Sequence, residues 1–204
     1  MSDRAQTGLI GGVEKVVIEI VDYQSLWPEK FREHEKAIAE ALGEASLRIE
    51  HIGSTSVPGL AAKPIVDILV VVRDSADEDS YLPRMEAAGY ELRVREPDFH
   101  EHRMFRTTAR DVHVHVYPHD SPEIERLLTF REWLRESPEA RRFYEETKRK
   151  LAAQSWADMN AYAEAKTEAI EHILATAREA GDGRMNGPAT PFGKLFCKKV
   201  SPSS

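Results

Sequence analysis

Residues 51–72 read HIGSTSVPGLAAKPIVDILVVV. A small polar turn, Gly53-Ser54-Thr55-Ser56, leads through two prolines and Lys63 into a run that is apolar except for one carboxylate, Asp67. Residues 65–72 are β-branched and almost continuously apolar, which is the pattern of a central strand. A lone carboxylate in such a strand is costly unless it is paired, protonated or bound to a metal. Two readings stand. Asp67 forms a structural ion pair with Lys63, Arg103 or Arg106, or it faces a cleft at the strand's exposed end and serves a cation or ligand. The turn before it bears on the second reading. Small residues between a strand (47–52) and an expected helical turn (59–63) offer backbone N–H groups and hydroxyls to an anion. The same residues also suit an ordinary Ser/Thr cap.

Outward from this stretch, the pattern is α+β. Residues 13–21 (VEKVVIEIV) read as a strand. Trp27-Pro28 opens a helix with Phe31, His34, Ile38 and Leu42 on one face. Residues 77–88 read as a helix closed by Gly89, and 90–95 as a strand. Residues 96–106 read as a charged, His-bearing loop holding at most a short strand. Residues 111–117 (DVHVHVY) alternate strictly and read as a strand. From Ser121 on the pattern is helical, over about 121–136, 138–153 and 157–179, with Ser137-Pro138 marking the first break. The expected organisation is a flexible lead-in over 1–12, one domain over 13–179 whose helical segment starts near 121, and a disordered tail over 180–204.

Composition bounds the function. The chain has 204 residues, 41% of them hydrophobic, and a formal net charge of −7. That fits a packed globular protein and argues against a general nucleic-acid binder. One cysteine, Cys197, precludes an intrachain disulfide, and the expectation is a cytoplasmic protein. The longest apolar run is far short of the roughly 20 residues that span a bilayer, so no membrane partner is expected.

Three further groups carry candidate chemistry. In DVHVHVY, Val112, Val114 and Val116 point one way and Asp111, His113, His115 and Tyr117 the other. The plain reading is a strand with its polar face in water. The sharper one is that two imidazoles at i, i+2 converge with Asp67 on one ion, or that they bind phosphate or act as general acid and base. Arg103 and Arg106 precede that strand, and arginine forks fit phosphate oxygens, although isolated arginines are commonly solvated. Tyr144/Lys148 and Tyr162/Lys166 are i, i+4 pairs on single helix faces. Either the rings pack and the lysines reach out to water, or these helices wall a cleft and the lysines meet an anion.

The stretch HIGSTSVPGLAAKPIVDILV, the Trp27-Pro28 helix start, HVHVYP, FREWLRESPEARRFYEETK and the Tyr162/Lys166 helix together resemble the GrpB-like family, from about residue 16 to 174. That family is also similar to a domain appended to dephospho-CoA kinase in some actinobacteria. The resemblance implies a fold of the nucleotidyltransferase superfamily, the DNA polymerase beta-like group: a mixed sheet with flanking helices and a C-terminal helical segment. The superfamily pattern is an apolar residue, Gly, Gly or Ser, a spacer, then Asp-apolar-Asp/Glu-apolar. Ile52-Gly53-Ser54 and Asp67-Ile68-Leu69-Val70 match it except that Leu69 stands where the second carboxylate belongs. The resemblance implies a nucleotide or other phosphorylated small molecule as ligand but, with Leu69 in that place, does not by itself imply nucleotidyl transfer; one expectation is an enzyme that transfers a nucleotidyl group to a small acceptor. The alternative is a module that keeps the fold and binds without catalysis. On this reading Gly53, Ser54, Thr55, Lys63, Arg103, Lys148 and Lys166 hold phosphates. Asp67, His113 and His115 hold one divalent metal (Mg, Mn or Zn) or carry the catalytic roles.

Overall fold

The computed structural model describes residues 8–12, 18–156, 162–163 and 165–185. Its centre is a six-stranded sheet: β1 (Gly8–Leu9), β2 (Ser46–Ile52), β3 (Val66–Val72), β4 (Tyr90–Glu96), β5 (His102–Thr107) and β6 (Val112–Pro118), in the order β1-β4-β5-β6-β3-β2. β3 and β6 are parallel and every other neighbouring pair is antiparallel. The helices are α1 (Trp27–Leu42), α2 (Leu82–Ala87), α3 (Pro122–Glu136), α4 (Pro138–Ala152) and α5 (Thr167–Met185).

Period-two alternation on the two central strands sorts their side chains onto two faces. Val66, Ile68, Val70 and Val72 of β3 join Val112, Val114 and Val116 of β6 in the main core, against Trp27, Ile38 and Leu42 of α1 and Met85 of α2. The other face carries Asp67 and Leu69 beside His113 and His115, because the parallel register pairs Asp67 with His113 and Leu69 with His115. Further along this second face, Leu69, Val71, Ile52 and Tyr117 pack under Ile124, Leu127 and Leu128 of α3. A third cluster joins Val57 and Leu60, after the turn, to Phe130 and Leu134 of α3, Tyr144 of α4 and Ile173 and Leu174 of α5. The helical segment therefore covers the Leu69–Val71 part of the second face and leaves the Asp67 end as a cleft wall.

Local signals explain the helix starts. Ser121 and Ser137 each precede a proline, and each side chain caps its helix, accepting from Glu123 N at 3.3 Å and Ala140 N at 3.1 Å. Proline at the first helical position loses no intrahelical bond.

Several expectations need correction. Of the strand expected over 13–21, residues 13–17 lie outside the described residues. Residues 18–20 have no regular structure, and Val21 makes only an isolated bridge to Ala62. Residues 59–63 form no helical turn; the turn of helix is Ser54–Ser56 itself. The helix expected over 77–88 divides into a 3₁₀ turn, Glu78–Ser80, and α2. Pro83 would clash with a helix continuing through it, and Glu78 is turned inward to pair with arginines. Residues 102–107 are a full strand, not a loop. Gly8–Leu9, expected in a flexible lead-in, pairs with β4. Helix α5 runs through Gly181 to Met185, past the expected start of the tail. Cys197 and the rest of that tail lie outside the described residues. No described helix is long and apolar enough to cross a membrane.

Candidate functional site

The Gly53 turn and the Asp67 position are built together. Gly53 has φ +69°, a region open to glycine and strained for other residues. It sits against Asp67, so the chain passes directly over the carboxylate. The Ser56 hydroxyl donates to Gly53 O at 2.6 Å and closes the turn.

From the β3–β6 register, Asp67 Oδ1 lies 3.7 Å from His113 Nδ1 and 3.7 Å from His115 Nε2. One ligand atom from each of the three lies within 4.8 Å of the others. A cation with bonds of about 2.1 Å holds tetrahedral ligand atoms about 3.4 Å apart, so this triad could hold one ion after small side-chain rotations. About 30% of the Asp67 side chain is exposed, which makes it a cleft residue and not a core one. Burial pushes its carboxyl up, but His115, His113 and Lys166 in their protonated forms outweigh that and hold it below the usual range. Burial pushes His113 down to about 4, against the opposing pull of Asp67. Its imidazole is therefore neutral at neutral pH, the form that binds metals.

A cavity of about 370 Å³ opens over the triad. Gly53, Ser54, Thr55, Lys63, Lys148 and Lys166 line it with Asp67, His113 and His115. Lys148 is buried; its ammonium donates to Ser54 Oγ at 3.0 Å and to the Ala61 carbonyl, and lies 4.8 Å from the Tyr144 ring centre. Lys63 and Lys166 approach the Tyr162 ring at 5.9 and 4.9 Å. Burial lowers Lys148 to about 7 and Lys63 to about 8, and it also lowers Lys166. Lys63, Lys148 and Lys166 face only Asp67 and Glu96 among the acidic lining residues, while Arg126, also in the lining, is held by Glu123 and Glu171; basic side chains thus outnumber acidic ones in the cavity of an acidic protein. The Tyr162 hydroxyl is buried without a hydrogen-bond partner among the described residues. Thr55 has a partner: its hydroxyl is 3.0 Å from His51 Nε2, and His51 stacks on Phe31.

Arg103 is not in this site. It and Arg95 hold Glu78 through hydrogen bonds of 2.7 Å, on the α2 side of the sheet. The reason is parity. Arg106 pairs with His113 and Met104 with His115 across β5–β6, so 102, 104 and 106 share the histidine face and 103 does not. The residue on that face missed from sequence is His102. Its Nδ1 is 2.8 Å from Glu96 Oε2 and its Nε2 is 3.0 Å from His115 Nδ1. Glu96 and His102 both line the cavity. Asp111, expected beside the histidines, turns instead to Lys30 and Thr107.

The comparisons agree with this architecture. The chain is 50% identical to a UPF0157 protein of Streptomyces coelicolor over 86% of this chain and 91% of that one. It is 27% identical to a dephospho-CoA kinase of Mycolicibacterium paratuberculosis, over 76% of this chain and 44% of that one. The crystal structure of the conserved protein GrpB from Enterococcus faecalis superposes with a TM-score of 0.71 at 37% identity, covering 80% of this chain and 99% of that one. A family model described as GrpB protein matches residues 17–176, and the chain belongs to that family.

Proposed function

We propose that this protein binds a nucleotide or another phosphorylated small molecule in the cleft together with one divalent cation, on a nucleotidyltransferase-like fold. The observation that carries the reading is the convergence of one buried lysine, Lys148, and two half-buried ones, Lys63 and Lys166, with a carboxylate and two imidazoles on one cavity. Lysines kept out of water interact strongly with an anion, and burying them without one is costly. The orphaned Tyr162 hydroxyl is a further group that a ligand would satisfy. A cation held by Asp67, His113 and His115 would neutralise phosphate oxygens and polarise phosphorus. Around it, Lys148 and Ser54 anchor one phosphate, while Lys63 and Lys166 bracket the space beside Tyr162.

A second reading, binding without transfer, is favoured by Leu69. It is fully buried in the cluster beneath α3, so a paired-ion site of the kind used in two-metal transfer lacks its second carboxylate. The test is a thermal-shift screen of nucleotides with and without Mg²⁺, Mn²⁺ and Zn²⁺, since a ligand of the folded state raises the melting temperature by mass action. A nucleotide shift that Asp67→Asn loses only in the presence of metal supports the composite site. No shift with any nucleotide at millimolar concentration defeats the reading. Pyrophosphate release from a bound triphosphate separates transfer from binding.

A further inference from the structure

We infer that Glu96 and His102 are positioning residues that hold His115 with its Nε2 lone pair toward Asp67, making the site one for a transition cation of the Zn²⁺ class in preference to Mg²⁺. This rests on Asp67, His113 and His115 being the ligands of one cation, as proposed above.

A carboxylate only accepts, so the 2.8 Å contact between Glu96 Oε2 and His102 Nδ1 puts a proton on His102 Nδ1. A neutral His102 then carries a lone pair on Nε2. The 3.0 Å contact to His115 Nδ1 is satisfied only if His115 donates, so the His115 proton is on Nδ1. What remains on His115 is the Nε2 lone pair, and it faces Asp67 Oδ1 at 3.7 Å. Two acceptors facing each other need a positive charge between them. The chain from Glu96 to His115 therefore presents a metal ligand, with the tautomer chosen two residues away. The ring planes of His102 and His115 lie within 12° of each other, and His102 also stacks on Tyr117 with centroids 4.7 Å apart. The His102 side chain is only 8% exposed. Its alignment is thus fixed by packing as well as by hydrogen bonds.

Such outer partners orient a ligating imidazole and raise its basicity. Two neutral imidazoles with a single carboxylate suit Zn²⁺ and its neighbours. Mg²⁺ takes oxygen ligands and keeps much of its water. In its own right Glu96 is no ligand: its carboxylate is engaged by His102 and is not part of the three-residue cluster.

The test is calorimetric titration of the metal-free full chain with ZnCl₂ and with MgCl₂, with melting temperatures recorded for every variant. Asp67→Asn reports whether the cation is in this cleft. His102→Phe keeps a ring against Tyr117 and His115 but ends the proton chain. His102→Gln loses the ring yet can donate to Glu96 and accept from His115. The expected result is Zn²⁺ binding at least about tenfold tighter than Mg²⁺, lowered about 10–100-fold by His102→Phe and restored to near wild type by His102→Gln. A ring needed only for packing gives the reverse order, with Phe harmless and Gln damaging, and that overturns the inference. Equal affinity in wild type and His102→Phe also overturns it. Should His102→Phe fail to fold, Glu96→Ala decides: weaker Zn²⁺ binding supports the chain and unchanged binding overturns it. If Asp67→Asn retains wild-type Zn²⁺ affinity, or wild type binds no metal, both this inference and the single-cation reading fall. If Asp67→Asn abolishes binding while His102→Phe does not alter it, only this inference falls.

Discussion

A Cβ built on Gly53 lies 2.5 Å from Asp67 Oδ2. The turn and the carboxylate are therefore one unit: the backbone at Gly53 occupies the space beside Asp67 that any side chain would need. Two penalties act on Gly53→Ala, the contact itself and a positive φ that alanine tolerates poorly. The expected outcome is a loss of roughly 1–3 kcal/mol by urea denaturation, with Asp67 displaced and cation affinity lost. A variant with wild-type stability and wild-type Zn²⁺ binding would show that this close approach does not matter.

Leu69 is the position where the superfamily pattern expects a second carboxylate. Here it is fully buried among Ile52, Val71 and Tyr117, under Ile124, Leu127 and Leu128. Leu69→Asp therefore does not restore a two-ion site. It places a carboxyl in an apolar cluster without a partner, and the cost is several kcal/mol. We expect a large drop in melting temperature and no gain in Mg²⁺-dependent binding. A stable Leu69→Asp protein that binds a second ion would contradict the claim that α3 has closed over that part of the face.

Much of this was legible from the chain, for identifiable reasons. The strands β3 and β6 announce themselves by a buried apolar run and by strict alternation, so Asp67, His113 and His115 could be nominated from residue type and parity. That they meet depends on a parallel register pairing Asp67 with His113, which no local pattern encodes. The strand β5 was hidden because its charges fall on both faces: His102 and Arg106 on the site side, Arg103 on the other, buried against Glu78. Read as a loop, such a segment has no faces to assign, so Arg103 stands out by its phosphate-fitting side chain and by the family resemblance, and His102 does not. The parity of His102, Met104 and Arg106 was the available signal. The Lys148 contact to Ser54 joins residues 94 positions apart, and only the helix-face pairing of Tyr144 with Lys148 pointed toward it.

Arg103 then has a structural role with a measurable signature. Glu78 accepts from both Arg103 and Arg95 in a buried cluster, and those arginines hold its carboxyl below the usual range against the upward push of burial. Arg103→Met keeps the aliphatic stem and removes the charge. Breaking a buried pair costs about 3–5 kcal/mol, and because Arg95 still holds Glu78 the loss should fall at or below the lower end. Nucleotide and Zn²⁺ affinity should not change. A selective loss of ligand binding at unchanged stability would return Arg103 to the site.

The lysines set a pH dependence whose sign differs between stability and binding. Burial lowers Lys148 to about 7 and Lys63 to about 8 from an ordinary value of 10.5. Between the folded and unfolded values the unfolded chain binds more protons, so these two groups make stability rise with pH from about 7 toward 10.5. Anion binding runs the other way. A phosphorylated ligand needs the ammonium forms, which are lost as pH rises through about 7 and about 8. The affinity for a nucleotide such as ATP should therefore fall between pH 7.5 and 9.5, by up to about tenfold per pH unit for each lysine titrating. This comparison stays above the second phosphate ionisation near pH 6. Added salt should weaken binding at pH 7.5, as screening reduces the attraction. Lys148→Met should flatten the part of the profile that Lys148 contributes and lower the affinity at pH 7.5. Calorimetric titration at the two pH values checks this. Affinity that stays constant across the range in wild type, or a Lys148→Met protein with an unaltered profile, would mean that the buried lysines do not carry the anion.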